Sequence, residues 1–166
     1  ALKALGVGVQ CEVTYLFARH VSPAARDHLE GRGRQGTVPD FVITTEQVDM
    51  LYGLKGIGMA RSRYIRCQPA ALDKGFACER RAALVPNQYA TAARNVDTRF
   101  NGTAANAKGP MEKALEDMGG VKPLVFGHYG EICKSFDRLL QTASRVGAQR
   151  LQSALYVKTP EQAAAV

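Results

Sequence analysis

Two apolar runs separated by a short polar stretch set the frame of this chain. Phe41-Val42-Ile43 follows Pro39-Asp40, the chain turns through Thr44 to Gln47, and a second run from Val48 to Leu54 delivers Lys55. Apolar runs of this length, bounded by turn residues, predict two short strands joined by a polar turn. Their pairing sets Asp40, at the start of one strand, beside Lys55, at the end of the next. A carboxylate and a lysine placed together are the minimum for holding a hard metal ion and positioning a water.

The remaining pattern places other elements around that pair. Val9, Val13, Leu16, Phe17 and His20 fall at helical spacing and predict a helix from about Val9 to Val21, with Glu12 near its middle. Ser22-Pro23 reads as a helix start, cap then first turn, for a helix that ends near Glu30. Gly31 to Gly36 is a loop rich in glycine and arginine. Arg61 to Cys67 alternates and predicts a third strand, closed by Pro69. Leu72 to Leu84 reads as a helix broken by Pro86, with Asn87 capping a further helix to about Phe100 whose inner face carries Tyr89, Ala93, Val96 and Phe100. Pro110 opens a short helix that ends at Gly119-Gly120. Val121 to Phe126 is a buried strand, 127–130 a turn, and Glu131 to Gly147 an amphipathic helix with Ile132, Phe136, Leu139 and Leu140 inward. Residues 148–157 add a last short helix or strand, and 159–166 form a loose tail. The order predicts an α/β (α+β) fold, a central mixed four-stranded sheet flanked by helices, in one domain over 1–158.

Charge changes this picture more than composition does. The 166 residues are 46% hydrophobic and 22% charged, ordinary for a globular domain, and no apolar run approaches a membrane span. The net charge of +7 favours a polyanionic partner, most often nucleic acid, against the plainer reading of scattered solvated lysines. Arg61, Arg63, Arg66, Lys74, Arg80, Arg81, Arg94 and Arg99 face only Asp73, Glu79 and Asp97 between residues 61 and 99. Arginine suits phosphate through its two-pronged guanidinium. Cys11, Cys67, Cys78 and Cys133 form no Cys-x-x-Cys pair and have no histidine at zinc-ligand spacing, so they read as reduced, mostly buried thiols of an intracellular protein. A nucleus or an organelle is compatible with that reading.

The order of elements, with Pro39-Asp40 and a lysine just after the second strand, resembles the PD-(D/E)xK superfamily, the restriction-endonuclease-like nucleases. Within it the chain is similar to endonuclease domains that accompany reverse transcriptases in retroelements of protists and algae. The residues carrying this are Pro39-Asp40-Phe41, Lys55, Arg80-Arg81 and Val125-Phe126-Gly127, over roughly 9–150. The resemblance implies a DNA endonuclease in which Asp40 binds magnesium, the carbonyl of Leu54 adds a ligand, Lys55 polarises the attacking water, and Glu12 contributes a further acid. The basic stretch makes Arg61, Arg63, Arg66, Arg80 and Arg81 the candidate nucleic-acid contacts, and the resemblance favours DNA over RNA.

One departure bears on activity. Where that family has Asp or Glu two residues before the lysine, this chain has Gly53. Three readings follow: a fold kept without catalysis, a carboxylate moved to another element with Glu79 as the candidate, or a residue changed from the natural one. The first makes the chain a non-catalytic domain that binds nucleic acid or packs in a larger assembly. His128 and Glu131 flank a turn and read as turn and helix-start residues rather than as pocket residues. Tyr64 and Tyr89 can stack on bases, although core packing with a wet hydroxyl is the commoner role.

Overall fold

A computed structural model of the chain describes residues 8–11, 17, 20–30, 37–44, 49–58 and 74–155. Strand β1 is Gly8–Cys11, α1 Pro23–Glu30, β2 Phe41–Thr44 and β3 Asp49–Ile57. Then come α2 (Lys74–Phe100), α3 (Pro110–Asp117), β4 (Val121–Gly127) and α4 (Lys134–Leu155). The four strands form one mixed sheet in the order β1-β2-β3-β4. The first two pairings are antiparallel; β3 and β4 run parallel, joined by a crossover through α2 and α3.

Alternation along β3 divides the molecule into layers. Leu51 and Ile57 point to one side, where Val42, Val121 and Val125 join Ala82, Val85, Tyr89, Ala93 and Val96 of α2, with Ala25 and Leu29 of α1 and Met111, Ala114 and Leu115 of α3. Tyr52 points to the other side and meets Ile43 and Leu124, covered by Phe136 and Leu139 of α4. Period-two strands placed between helices with apolar stripes have this arrangement as their natural packing solution.

Three expectations are corrected. The predicted helix from Val9 begins instead as β1, with Val9 opposite Ile43 and Cys11 opposite Phe41. Four residues beside an existing strand gain ladder hydrogen bonds, and a start at Gly6 and Gly8 is poor in helix propensity. Phe17, expected on that helix's inner face, is nevertheless fully buried. Second, Pro86 does not break α2, which runs unbroken from Lys74 to Phe100, and Asn87 lies inside it rather than at a cap. The buried positions Cys78, Ala82, Val85, Tyr89, Ala93 and Val96 keep helical phase straight through the proline. Pro86 itself lies on the exposed side. Burial of that stripe offsets the roughly 3 kcal/mol that an interior proline costs. Third, α4 starts at Lys134 rather than Glu131 and runs on to Leu155, past the predicted end at Gly147, so 148–155 continue it rather than forming a separate element. Ile132 bridges to Phe126 instead of lying on the helix, and Leu140 is exposed.

That last difference closes the sheet. Cys133 N–H donates to the Val125 carbonyl (2.9 Å), Val125 N–H to Cys133 Sγ (3.2 Å), Gly127 N–H to the Glu131 carbonyl (2.8 Å), and Ser135 Oγ–H to the Pro123 carbonyl. The segment after the turn thus covers the free edge of β4, where Pro123 can sit because a proline nitrogen needs no ladder partner. The remaining helices start and stop as the sequence predicts. Ser22 caps α1 through Ala25 N–H (3.3 Å), and α3 ends at Gly119 and Gly120, both with positive φ (75° and 70°).

Arg61 to Cys67 with its Arg61, Arg63 and Arg66, Glu12, Tyr64, the 31–36 loop, residues 45–48 of the β2–β3 turn, and the 159–166 tail lie outside the described residues.

Candidate functional site

Asp40 immediately precedes β2 and Lys55 lies near the end of β3, so the antiparallel pairing brings them together on the α2 side of the sheet. Lys55 Nζ is 3.6 Å from Asp40 Oδ2, with the two side chains 23% and 42% exposed. The backbone fixes Asp40 twice. Its N–H donates to the Tyr52 carbonyl (3.0 Å), and its Oδ2 accepts the Leu54 N–H (2.6 Å). The carboxylate therefore extends the ladder by one step beyond Phe41, where β2 begins. Leu54, expected to offer its carbonyl to a metal, meets Asp40 through its amide.

The third member comes from α2. Tyr89, on the inner face and 1% exposed, donates its hydroxyl proton to Asp40 Oδ2 (3.3 Å) and accepts from Lys55 Nζ (3.2 Å). The lysine nitrogen also lies 5.3 Å from the centre of the Tyr89 ring. Burial first, then the Asp40 charge and its hydrogen bond, push the Tyr89 phenol far above its ordinary range. It is a neutral donor at physiological pH, not a phenolate.

Gly53 explains why the tyrosine can be there. It lies on the same side of β3 as Lys55, and a Cβ at Gly53 would come within 2.7 Å of the Tyr89 ring and 3.0 Å of its hydroxyl. The position where a carboxylate was expected is occupied by an aromatic ring from the facing helix. Sequence reasoning weighed Tyr89 for stacking or core packing and missed its place in this cluster. The signal available was a side-chain-free residue in the middle of a buried strand, which needs a large neighbour to fill the space.

Glu79 does not join the cluster. It lies ten residues before Tyr89 on α2, about 15 Å along the helix axis at 1.5 Å per residue. Its carboxylate accepts the Lys134 N–H at the first turn of α4, a position the helix dipole favours for an anion. Arg80 beside it is exposed and Arg81 half-buried, nine and eight residues before Tyr89 on the same helix. Two further arginines of the basic stretch are engaged in the fold: Arg94 pairs with Glu112, and the Arg99 guanidinium lies 5.2 Å from the Phe100 ring centre. Glu131 shapes its turn by accepting Tyr129 N–H (3.0 Å), and the exposed His128 packs edge-on against Tyr129.

The thiols divide by place. Cys78 and Cys133 are buried and free, whereas Cys11 is exposed on β1. Burial, then Glu131, Cys133 and Glu79, push the Cys78 thiol up to about 11, so it is an inert packing group. Among the described residues no three His, Cys, Asp or Glu side chains gather as a metal site, and no helix is long and apolar enough to cross a membrane.

No protein-family model matches this chain, and neither a curated protein nor a solved structure does.

Proposed function

We propose that this chain is a nucleic-acid-binding domain on a nuclease-type frame whose hydrolytic centre has been closed. The observation that carries this is the contact between Tyr89 and Gly53, a ring standing where a metal-binding carboxylate would project. Asp40 and Lys55 remain paired as the resemblance to the PD-(D/E)xK nucleases requires, and the net charge of +7 suits a polyanionic partner.

Magnesium is the cofactor that resemblance implies, and the donor set here does not fit it. Among the described residues the cluster offers one carboxylate. Its Oδ2 already takes the Leu54 amide and the Tyr89 hydroxyl and faces the Lys55 ammonium. A neutral phenol is a poor substitute for the second anionic oxygen ligand that a hard cation prefers.

Three assays test the reading. Labelled DNA should bind at low salt and be released as salt rises, because phosphate neutralisation frees counterions. The same DNA should stay intact with magnesium present. Magnesium-dependent cleavage by the unmodified chain, lost in Asp40→Asn, overturns the closed-centre reading. The double variant Gly53→Asp with Tyr89→Ala should gain magnesium affinity by calorimetry, while Gly53→Asp alone should not.

Exposed Leu54, Phe126 and Leu140 favour a second reading, a structural subunit packed within a larger protein or ribonucleoprotein assembly. Absence of DNA binding at low salt selects it.

A further inference from the structure

We propose that the exposed side of α4 is the surface that binds duplex DNA, through Lys134, Arg138 and Arg145. This rests on the nucleic-acid-binding reading above and adds a location, on the layer across the sheet from Asp40. Steps of four and seven residues return to the same side of a helix with 3.6 residues per turn. The three cations are exposed, with exposed Gln141 and Thr142 among them. The opposite side of the helix carries Phe136, Leu139, Ala143 and Val146, all half-buried. The stripe is thus fixed in direction by packing on the sheet.

Two acids lie near its cations. The Glu79 carboxylate accepts the Lys134 N–H. Asp137 is the one acid in α4, and its Oδ2 holds Gln141 Nε2 at 2.8 Å. None of the three cations forms an ion pair among the described residues. This contrasts with Arg94, which is tied to Glu112. From Lys134 to Arg145 the line measures about 16 Å at 1.5 Å per residue. The minor groove is about 6 Å wide and the major about 12 Å, so such a line reaches phosphates of both strands. The stripe carries no aromatic side chain, the usual platform for the bases of a single strand, which favours duplex over single-stranded partners.

The test uses the full chain and a short labelled duplex of mixed sequence, followed by anisotropy across a salt series. Arg138→Gln with Arg145→Gln is compared with Arg99→Gln and Lys113→Gln, a pair elsewhere on the surface with the same change of net charge. The α4 pair should flatten the slope of log K against log salt by about 1.8, near 0.9 for each phosphate no longer neutralised. The control pair should leave the slope unchanged. Circular dichroism verifies that both variants are folded. Equal losses in the two pairs, or none in the α4 pair, overturn the assignment to α4 while leaving nucleic-acid binding intact. Tighter binding to the single strand than to the duplex overturns the choice of partner. No binding by the unmodified chain overturns the functional reading beneath it.

Discussion

Asp97 and Asp40 both accept main-chain N–H groups, and each lies beside a glycine whose missing side chain makes room, for Asp97 itself at Gly109 and for the Tyr89 ring next to Asp40 at Gly53, yet their surroundings differ. Asp97 is fully buried. Its Oδ1 accepts from Asn101 Nδ2 (2.7 Å) and Met111 N–H (3.0 Å), and its Oδ2 from Glu112 N–H (2.9 Å). The last two are free amides in the first turn of α3, so Asp97 caps that helix from a distance. A Cβ on Gly109 would collide with it. Asn101 also accepts the Ser22 N–H (2.8 Å), and the network ties α1, α2 and α3 together. Asp40 accepts from one amide and one phenol, faces a lysine, and remains partly open to solvent. Glycine yields to a carboxylate at Gly109 and to a tyrosine ring at Gly53. A sealed acid whose donors are all supplied by the fold has a structural task; an open one beside a cation is where a ligand can arrive.

The widest gap between the two should appear in stability. Asp97→Ala should lower the unfolding free energy by about 3 kcal/mol or more. A lost cap costs about 1–2 kcal/mol and each buried donor left unpaired about 1–3 kcal/mol. Asp97→Asn keeps one acceptor and should cost less. Urea unfolding measures both, and a loss for Asp97→Ala no larger than for a surface substitution would break the contrast.

Next in size is the contact at Gly53. Gly53→Ala forces a methyl against the Tyr89 ring and should cost about 1–3 kcal/mol, the usual range for overpacking. In a Tyr89→Ala background the same change should cost much less. A double-mutant cycle reads that coupling directly. Additive losses would mean the ring and the glycine do not define one space, and the closed-centre reading would lose its footing. Asp40→Asn and Lys55→Met, made separately, should each change stability by less than about 1 kcal/mol, since a partly exposed ion pair contributes little. Thermal melts distinguish that from the loss at Asp97.

Much of this contrast was hidden in the sequence for physical reasons. The pairing of Asp40 with Lys55 was legible because strand pairing follows from local runs and a short turn. So were α1, α3, β4 and the inner face from Tyr89 to Phe100. The start of β1 was not, since Val9 and Cys11 suit either period until a partner strand is present. Pro86 misled because its local cost is plain in sequence, whereas the compensating stripe is a tertiary property. Asp97 entered the sequence reading only as one of a few acids among arginines. Its task depends on Gly109 and the start of α3, a dozen or more residues later. Gly53 was recognised as a missing carboxylate, but what fills its place comes from a helix more than thirty residues onward.

The smallest effect expected is on how Tyr89 titrates. Its folded pKa lies above that of a free phenol, so the neutral hydroxyl is the form the fold favours. The contribution to stability is fully present below the ordinary phenol range near pH 10 and is lost as pH rises toward the folded value. In an alkaline titration followed by phenolate absorbance, the two buried tyrosines, Tyr52 and Tyr89, should therefore lag, Tyr89 the further of the two, ionising only as the protein unfolds. Asp40→Asn removes a negative charge and a charged acceptor, both of which oppose ionisation. Burial is the larger cause, however, and remains in place. The Tyr89 transition should move to lower pH in that variant, yet not as far as the exposed group. Return to the ordinary range would make the carboxylate dominant, and no movement would remove Asp40 from the electrostatics of the cluster. A partial shift is what a phenol held in the core, with only its hydroxyl touching an open acid, should show.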